Sequence, residues 1–254
     1  MFGDEITAVS NAAKGKDNLL CKNPLGYIIA AILPGIFVGF GVLLAFTVGG
    51  LLTGNPFARI LMGCTFGVAL SLVIISGGEL FTGNNFVMTV GVFKKTVSAG
   101  ACFKIWGVSY IGNLIGSILL AVIFVWCGLA TGSTGEFISN ASATKMSLSP
   151  LALLCRGVLC NMLVCLAVWC GFRCKSETAK LIMIFWCLLA FITTGYEHSI
   201  ANMTLLTVSL LSPAAGAAVS LGGWVYNIAL STIGNIIGGV IFVAFPYLAI
   251  SRQA

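Results

Sequence analysis

Six apolar runs, near residues 25–47, 56–92, 102–130, 150–172, 181–211 and 222–250, take up most of this chain. Each is long enough to cross about 30 Å of hydrocarbon, which needs roughly 20 apolar residues in a helix. Lipid offers backbone N–H and C=O groups no water, so uninterrupted runs of this length must satisfy their own backbone as helices. Composition points the same way. Of the 254 residues 59% are hydrophobic and 8% are charged, where soluble domains carry roughly 25% charged residues. The expectation is an all-α membrane protein whose single transmembrane domain covers residues 1–254.

The net charge of +6 is no sign of nucleic-acid binding. The thirteen Lys and Arg lie in short clusters between the apolar runs, where they set orientation. An even number of spans puts both termini on one side. Lys14, Lys16, Lys22, Lys94, Lys95, Lys104, Arg173, Lys175, Lys180 and Arg252 then share that side, and Arg59, Lys145 and Arg156 face the other. The positive-inside rule makes the first side cytoplasmic. The segment before Lys22 is polar and has no cleavable signal pattern, so the first run is read as a retained span.

The chain repeats itself. Gly112-Asn113 in the third run matches Gly234-Asn235 in the sixth; Glu79 and Asn84 in the second match Glu197 and Asn202 in the fifth; Pro24-Leu25 and Pro150-Leu151 open the first and fourth. Repeat one covers about 24–130 and repeat two about 150–250. Each holds three spans, so equivalent helices cross in opposite directions, and in such inverted repeats the substrate site lies near the midplane.

Two runs are interrupted at corresponding places. Asn55-Pro56 reads as a cap and first helical residue, and about 20 apolar residues later Ser76-Gly77-Gly78-Glu79-Leu80-Phe81-Thr82-Gly83-Asn84-Asn85 breaks the helix. In the fifth run Thr193-Thr194-Gly195 precede Glu197-His198, the latter being the one histidine of the chain. Ionisable groups at membrane depth mark function by default, and paired broken helices mark a permeation site.

GGELFTGN at 77–84, Glu197-His198 with Asn202, and Lys145 ahead of the fourth run together resemble the formate/nitrite transporter family of bacterial anion channels. The likeness covers essentially the whole chain, and the short termini are similar to the hydrosulfide-channel branch. It implies a homopentamer in the bacterial cytoplasmic membrane, embedded in the lipid bilayer, each protomer an aquaporin-like pore of six helices with no cofactor or metal. It also implies site roles. His198 would face Thr82 at the pore centre, between apolar constrictions from Leu70, Leu80, Phe81, Val164 and Phe191, with Phe66 nearby. Asn161, Asn202 and Asn235 would supply polar groups beside the pathway, and Lys145 would draw anions into the outer vestibule. The residues themselves suggest a role for Glu79 and Glu197: holding the broken loops by accepting the backbone N–H groups that lipid would leave without partners.

Such a pore suits the anion of a weak acid, because desolvation favours its neutral form and a histidine with an ordinary pKa near 6.5 can supply a donor, a charge or a proton. The substrate expected first is hydrosulfide; the alternative is formate or nitrite, by channel or proton-linked transport. Ten cysteines invite a third reading, a membrane thiol redox protein. Cys155, Cys160, Cys165 and Cys170 oppose it: steps of five residues turn about 140° on a helix, so they scatter around it.

Overall fold

The computed structural model describes residues 1–251, so Arg252, counted above among the cytoplasmic cations, lies outside the described residues. The elements are α1 (Gly3–Lys22), α2 (Pro24–Leu51), α3 (Ala58–Ile75), α4 (Phe81–Phe93), α5 (Ala99–Trp126), α6 (Gly132–Met146), α7 (Pro150–Arg173), α8 (Glu177–Thr194), α9 (Ser199–Leu211), α10 (Leu221–Gly239), a π-helical stretch Val240–Ala244, and α11 (Phe245–Ser251). Among the described residues six helical segments are long and apolar enough to cross a membrane: α2, α3, α5, α7, α8 and the continuous Leu221–Ser251. The chain is an all-helical membrane protein.

The two interrupted runs each become a long helix followed by a half-helix. α3 stops at Ile75 and α4 starts at Phe81; α8 stops at Thr194 and α9 starts at Ser199. Thr82 to Asn85, expected in the loop, already belong to α4. Polar residues continue the helix there because protein surrounds them: Thr82, Asn84 and Asn85 are all buried. Asn55 also acts two residues earlier than a helix cap would, its Oδ1 accepting from Phe57 N at 2.9 Å, and α3 begins at Ala58.

The halves pack alike. α2 lies against α5 and α3, α7 against α10 and α8, and α3 meets α8 across the repeat boundary. Glycines permit the close pairs. A Cβ at Gly116 would run into the Ile32 carbonyl on α2, and one at Gly238 into the Val158 carbonyl on α7. Small residues serve helix packing in this way where lipid supplies no hydrophobic drive between helices.

Two helices lie where loop was expected. α1 hides Ile6, Val9, Ala13 and Leu20 at helical spacing, one apolar stripe on a polar segment, and packs against α4 and α2. α6 packs against α2 and α9 and carries Lys145 in its last turn.

Candidate functional site

Proline and asparagine build the two breaks. Pro34 in α2 has no N–H, which leaves the Ala30 carbonyl without its helical donor; the Glu79 N–H takes that place at 2.8 Å. Gly77 ends α3 at φ 84°, and Gly195 ends α8 at φ 81°, conformations that favour glycine. Asn113 then pins the first loop: Oδ1 accepts from Phe81 N at 2.9 Å, and Nδ2 donates to the carbonyls of Ala31 (2.6 Å) and Glu79 (3.1 Å). Asn235 does the same for the second, with Oδ1 on Ser199 N (2.9 Å) and Nδ2 on Gly157 O (2.8 Å) and Glu197 O (2.9 Å).

This corrects the roles assigned to the carboxylates and amides. Glu79 and Glu197 accept from side chains, not from loop N–H groups, because the asparagines already hold those. Glu79 receives Lys16 Nζ at 2.8 Å, Tyr27 OH at 3.0 Å and Asn84 Nδ2 at 3.2 Å. Glu197 receives Lys145 Nζ at 2.7 Å and Asn202 Nδ2 at 2.6 Å, and Asn202 also donates to Asn227 Oδ1 at 2.8 Å. Each half thus carries one Lys–Glu–Asn cluster. Lys145, expected to draw anions into the outer vestibule, lines that cavity but is paired with Glu197.

Glu197 is 1% exposed, so its charge depends on that lysine. Removing one partner of a buried ion pair costs about 3–5 kcal/mol, whereas replacing both is far milder. Lys145→Met should therefore lower the melting temperature of the purified protein strongly, and Lys145→Met with Glu197→Gln should recover most of the loss. Equal losses in the single and double variants would mean that the two charges are not coupled.

His198 sits at the N-cap of α9, where its Nδ1 accepts from Ala201 N at 3.0 Å. A backbone N–H can only donate, so a neutral imidazole here carries its proton on Nε2. Nε2 lies 3.1 Å from Thr82 Oγ1. Protonating the ring fully would break the cap, so the geometry favours a neutral ring acting as a donor.

Two cavities approach this histidine from opposite sides. The outer, about 500 Å³, is lined by Lys145, Glu197, Asn202, Phe66, Phe191 and His198 among others. The inner, about 380 Å³, is lined by Lys16, Glu79, Asn84, Leu70 and Leu80 among others. A void of about 10 Å³ separates them, and it touches Phe66 and Phe191 on one side, Leu70 and Leu80 on the other, with Val164 and His198. That is barely the space of one water. Phe66 and Phe191 meet edge to face, centroids 5.2 Å apart, so the outer ring is tightly packed.

Other expected residues point elsewhere. Phe81 is turned away from the void and packs on Tyr110, 4.9 Å between centroids, because its backbone is anchored to Asn113 on α5. Thr82 does meet His198 as expected, at 3.1 Å, but it is fully buried and lines none of these cavities. Asn161 spends its Nδ2 on Asn235 O (2.7 Å), Asn85 Oδ1 (3.1 Å) and Thr82 O (3.2 Å). It and Asn235 are fully buried braces, not donors facing a cavity. Lys16, Tyr27, Asn113 and Asn227 were missed. The repeat pointed to Asn113, as the mate of Asn235, and to a lysine ahead of the first span as the mate of Lys145.

The sequence model of the formate/nitrite transporter family matches residues 4–249. The nitrite transporter NirC of Salmonella typhimurium is 41% identical, over 97% of this chain and 91% of its own. Among solved structures, an FNT family ion channel superposes with a TM-score of 0.93 at 38% identity, over 98% of this chain and 99% of that one. A pentameric formate channel with formate bound superposes with a TM-score of 0.80 at 29% identity, over 91% of this chain and 99% of that one.

Proposed function

Since the chain belongs to the formate/nitrite transporter family, we propose that it passes small monovalent anions of weak acids through each protomer, nitrite first and formate next. One observation carries this reading: the outer and inner cavities meet only at a void of about 10 Å³ bounded by apolar rings, with His198 as its polar side chain. A bare anion there would cost many kcal/mol unless a donor replaced its water. The Nε2–H of His198 is such a donor when it is shared between Thr82 Oγ1, 3.1 Å away, and the anion. The N-terminal ends of α4 and α9, at Phe81 and Ser199, add the positive ends of two half-helices.

Desolvation also raises the pKa of the anion itself. Nitrite or formate entering the rings is driven toward its neutral acid, which crosses an apolar constriction at far lower cost. The proton comes from vestibule water, which is left as hydroxide in the open cavity, since a neutral His198 bonded at Nδ1 has none to spare beyond its Nε2–H.

Nitrite takes the leading place that hydrosulfide holds in the sequence reading, because the substrates in the relatives' names are nitrite and formate. Membership of a transporter family makes the chain no enzyme and sets aside the thiol-redox alternative. A homopentamer in the bacterial cytoplasmic membrane, both termini inside, agrees with the pentameric formate channel and with the charge distribution. Native mass spectrometry checks the pentamer. Influx of nitrite, formate, hydrosulfide and chloride into one batch of proteoliposomes tests the substrate order: nitrite should be fastest, and no influx of nitrite or formate above protein-free vesicles would refute the reading.

The inner ring sets a size limit. Leu80 is buried and borders both the inner cavity and the void. Leu80→Ala should open this ring and raise acetate influx about tenfold, the scale of removing roughly 1.4 kcal/mol from a barrier, with little change for nitrite. An unchanged ratio of acetate to nitrite would place the size limit elsewhere.

A further inference from the structure

The two vestibules differ in charge. The inner one is lined by Lys16 and Glu79, which pair with each other. The outer one is lined by Arg59, Lys145 and Arg156 against the single carboxylate of Glu197, and Lys145 is already bound to that carboxylate. Among the described residues neither arginine makes an ion pair. Two guanidinium groups therefore remain uncompensated in the outer vestibule, and the inner one has no counterpart.

Both are held at the rim of the histidine loop by their backbones. Arg59 lies in the first turn of α3, and its carbonyl accepts from Thr193 Oγ1 at 3.5 Å. Arg156 lies in α7, and its carbonyl accepts from Glu197 N at 3.3 Å. Each side chain thus starts from a helix and lines the cavity that ends at His198.

Resting on the anion-channel reading above, we propose that Arg59 and Arg156 form an outer subsite for planar oxyanions, nitrite and formate, which gathers them before the phenylalanine ring. Charge alone would concentrate any anion. A guanidinium adds a planar fork of N–H donors that matches two oxygens of one anion, and it is more weakly hydrated than an ammonium. Hydrosulfide has a single heavy atom and cannot use the fork. The subsite thus favours the family of substrates with an O–N–O or O–C–O unit, and it does so from one face of the membrane.

The test uses the full-length protein in proteoliposomes, with potassium chloride, which has no O–N–O or O–C–O unit, as the background salt. The double variant Arg59→Gln, Arg156→Gln should raise the half-saturating concentration of external nitrite about tenfold at low ionic strength, the lower end of electrostatic focusing in a charged cleft. The shift should shrink near 1 M salt, where the Debye length is about 3 Å. The charge-keeping pair Arg59→Lys, Arg156→Lys should restore hydrosulfide uptake but leave nitrite about threefold weaker. No change in half-saturating nitrite for the glutamine pair overturns the subsite, and full rescue of nitrite by lysine overturns its preference for planar oxyanions.

If the wild type carries neither nitrite nor formate, the channel reading fails while the subsite stands or falls on binding. Nitrite should still raise the melting temperature of the wild type in detergent and not that of the glutamine pair; an equal rise in both overturns the subsite.

Discussion

Asn235→Ala and Asn113→Ala should each yield little folded protein. Each amide bonds three backbone groups of a broken helix and its neighbour, and both residues are fully buried. A buried polar group left without a partner costs about 1–3 kcal/mol. Three at once come to roughly 3 kcal/mol or more before the lost packing is counted, a large share of the roughly 5–15 kcal/mol by which folded proteins exceed their unfolded chains. The expected result is a melting temperature far below that of the wild type, or aggregation on extraction, for both variants alike. Ile233→Ala, at a 49% exposed position on the same helix as Asn235, is the control and should purify normally. A wild-type melting temperature for either asparagine variant would contradict the bracing role.

The architecture was largely legible because its causes are local. Apolar length marks the spans, and Gly77-Gly78 and Gly195 with the charges beside them mark the breaks. The matching Gly-Asn pairs mark the repeat. α1 and α6 were not legible, since their composition is polar and the sparse apolar stripe Ile6, Val9, Ala13 and Leu20 means little until α4 and α2 lie against it.

Partners were the harder part. Lys145 and Glu197 stand 52 residues apart, and nothing in the string says that one neutralises the other. Asn161 and Asn235 read as donors beside a pathway because an amide has donors; that every one is spent on carbonyls and a neighbouring amide follows from how α7 and α10 pack on each other, on α4 and on the loop before α9. Phe81 and Leu80 are neighbours in the chain, yet only Leu80 reaches the void, since the anchor on Asn113 turns the next side chain toward α5. Arg59 and Arg156 were noticed as outer charges and used for orientation alone. Their uncompensated state emerged only once the third outer cation proved to be paired.

His198→Leu should cut nitrite influx at pH 7 by about 10- to 100-fold. Leucine fills similar space but removes the Nε2–H, and a hydrogen bond to a charged group is worth about 1.5–3 kcal/mol, where each 1.36 kcal/mol is tenfold in rate. Leucine also removes the cap on Ala201 N, worth about 1 kcal/mol of stability, so the comparison includes His198→Asn. Asparagine is a good cap and keeps an amide donor, so this variant should assemble like the wild type and retain more influx than the leucine variant. Neither an amide nor a His198 ring held neutral by the Ala201 N–H changes charge from pH 5 to 8, so over that range the asparagine variant and the wild type should show the same pH dependence, set by the supply of nitrous acid. The measurement is stopped-flow nitrite influx into proteoliposomes holding wild type, leucine and asparagine variants at equal protein content, beside protein-free vesicles. The predicted result is saturable influx in the wild type, an intermediate rate for asparagine, and a leucine rate close to the protein-free level. Wild-type influx through a correctly assembled leucine variant would contradict the account, because the anion would then be crossing somewhere other than beside His198.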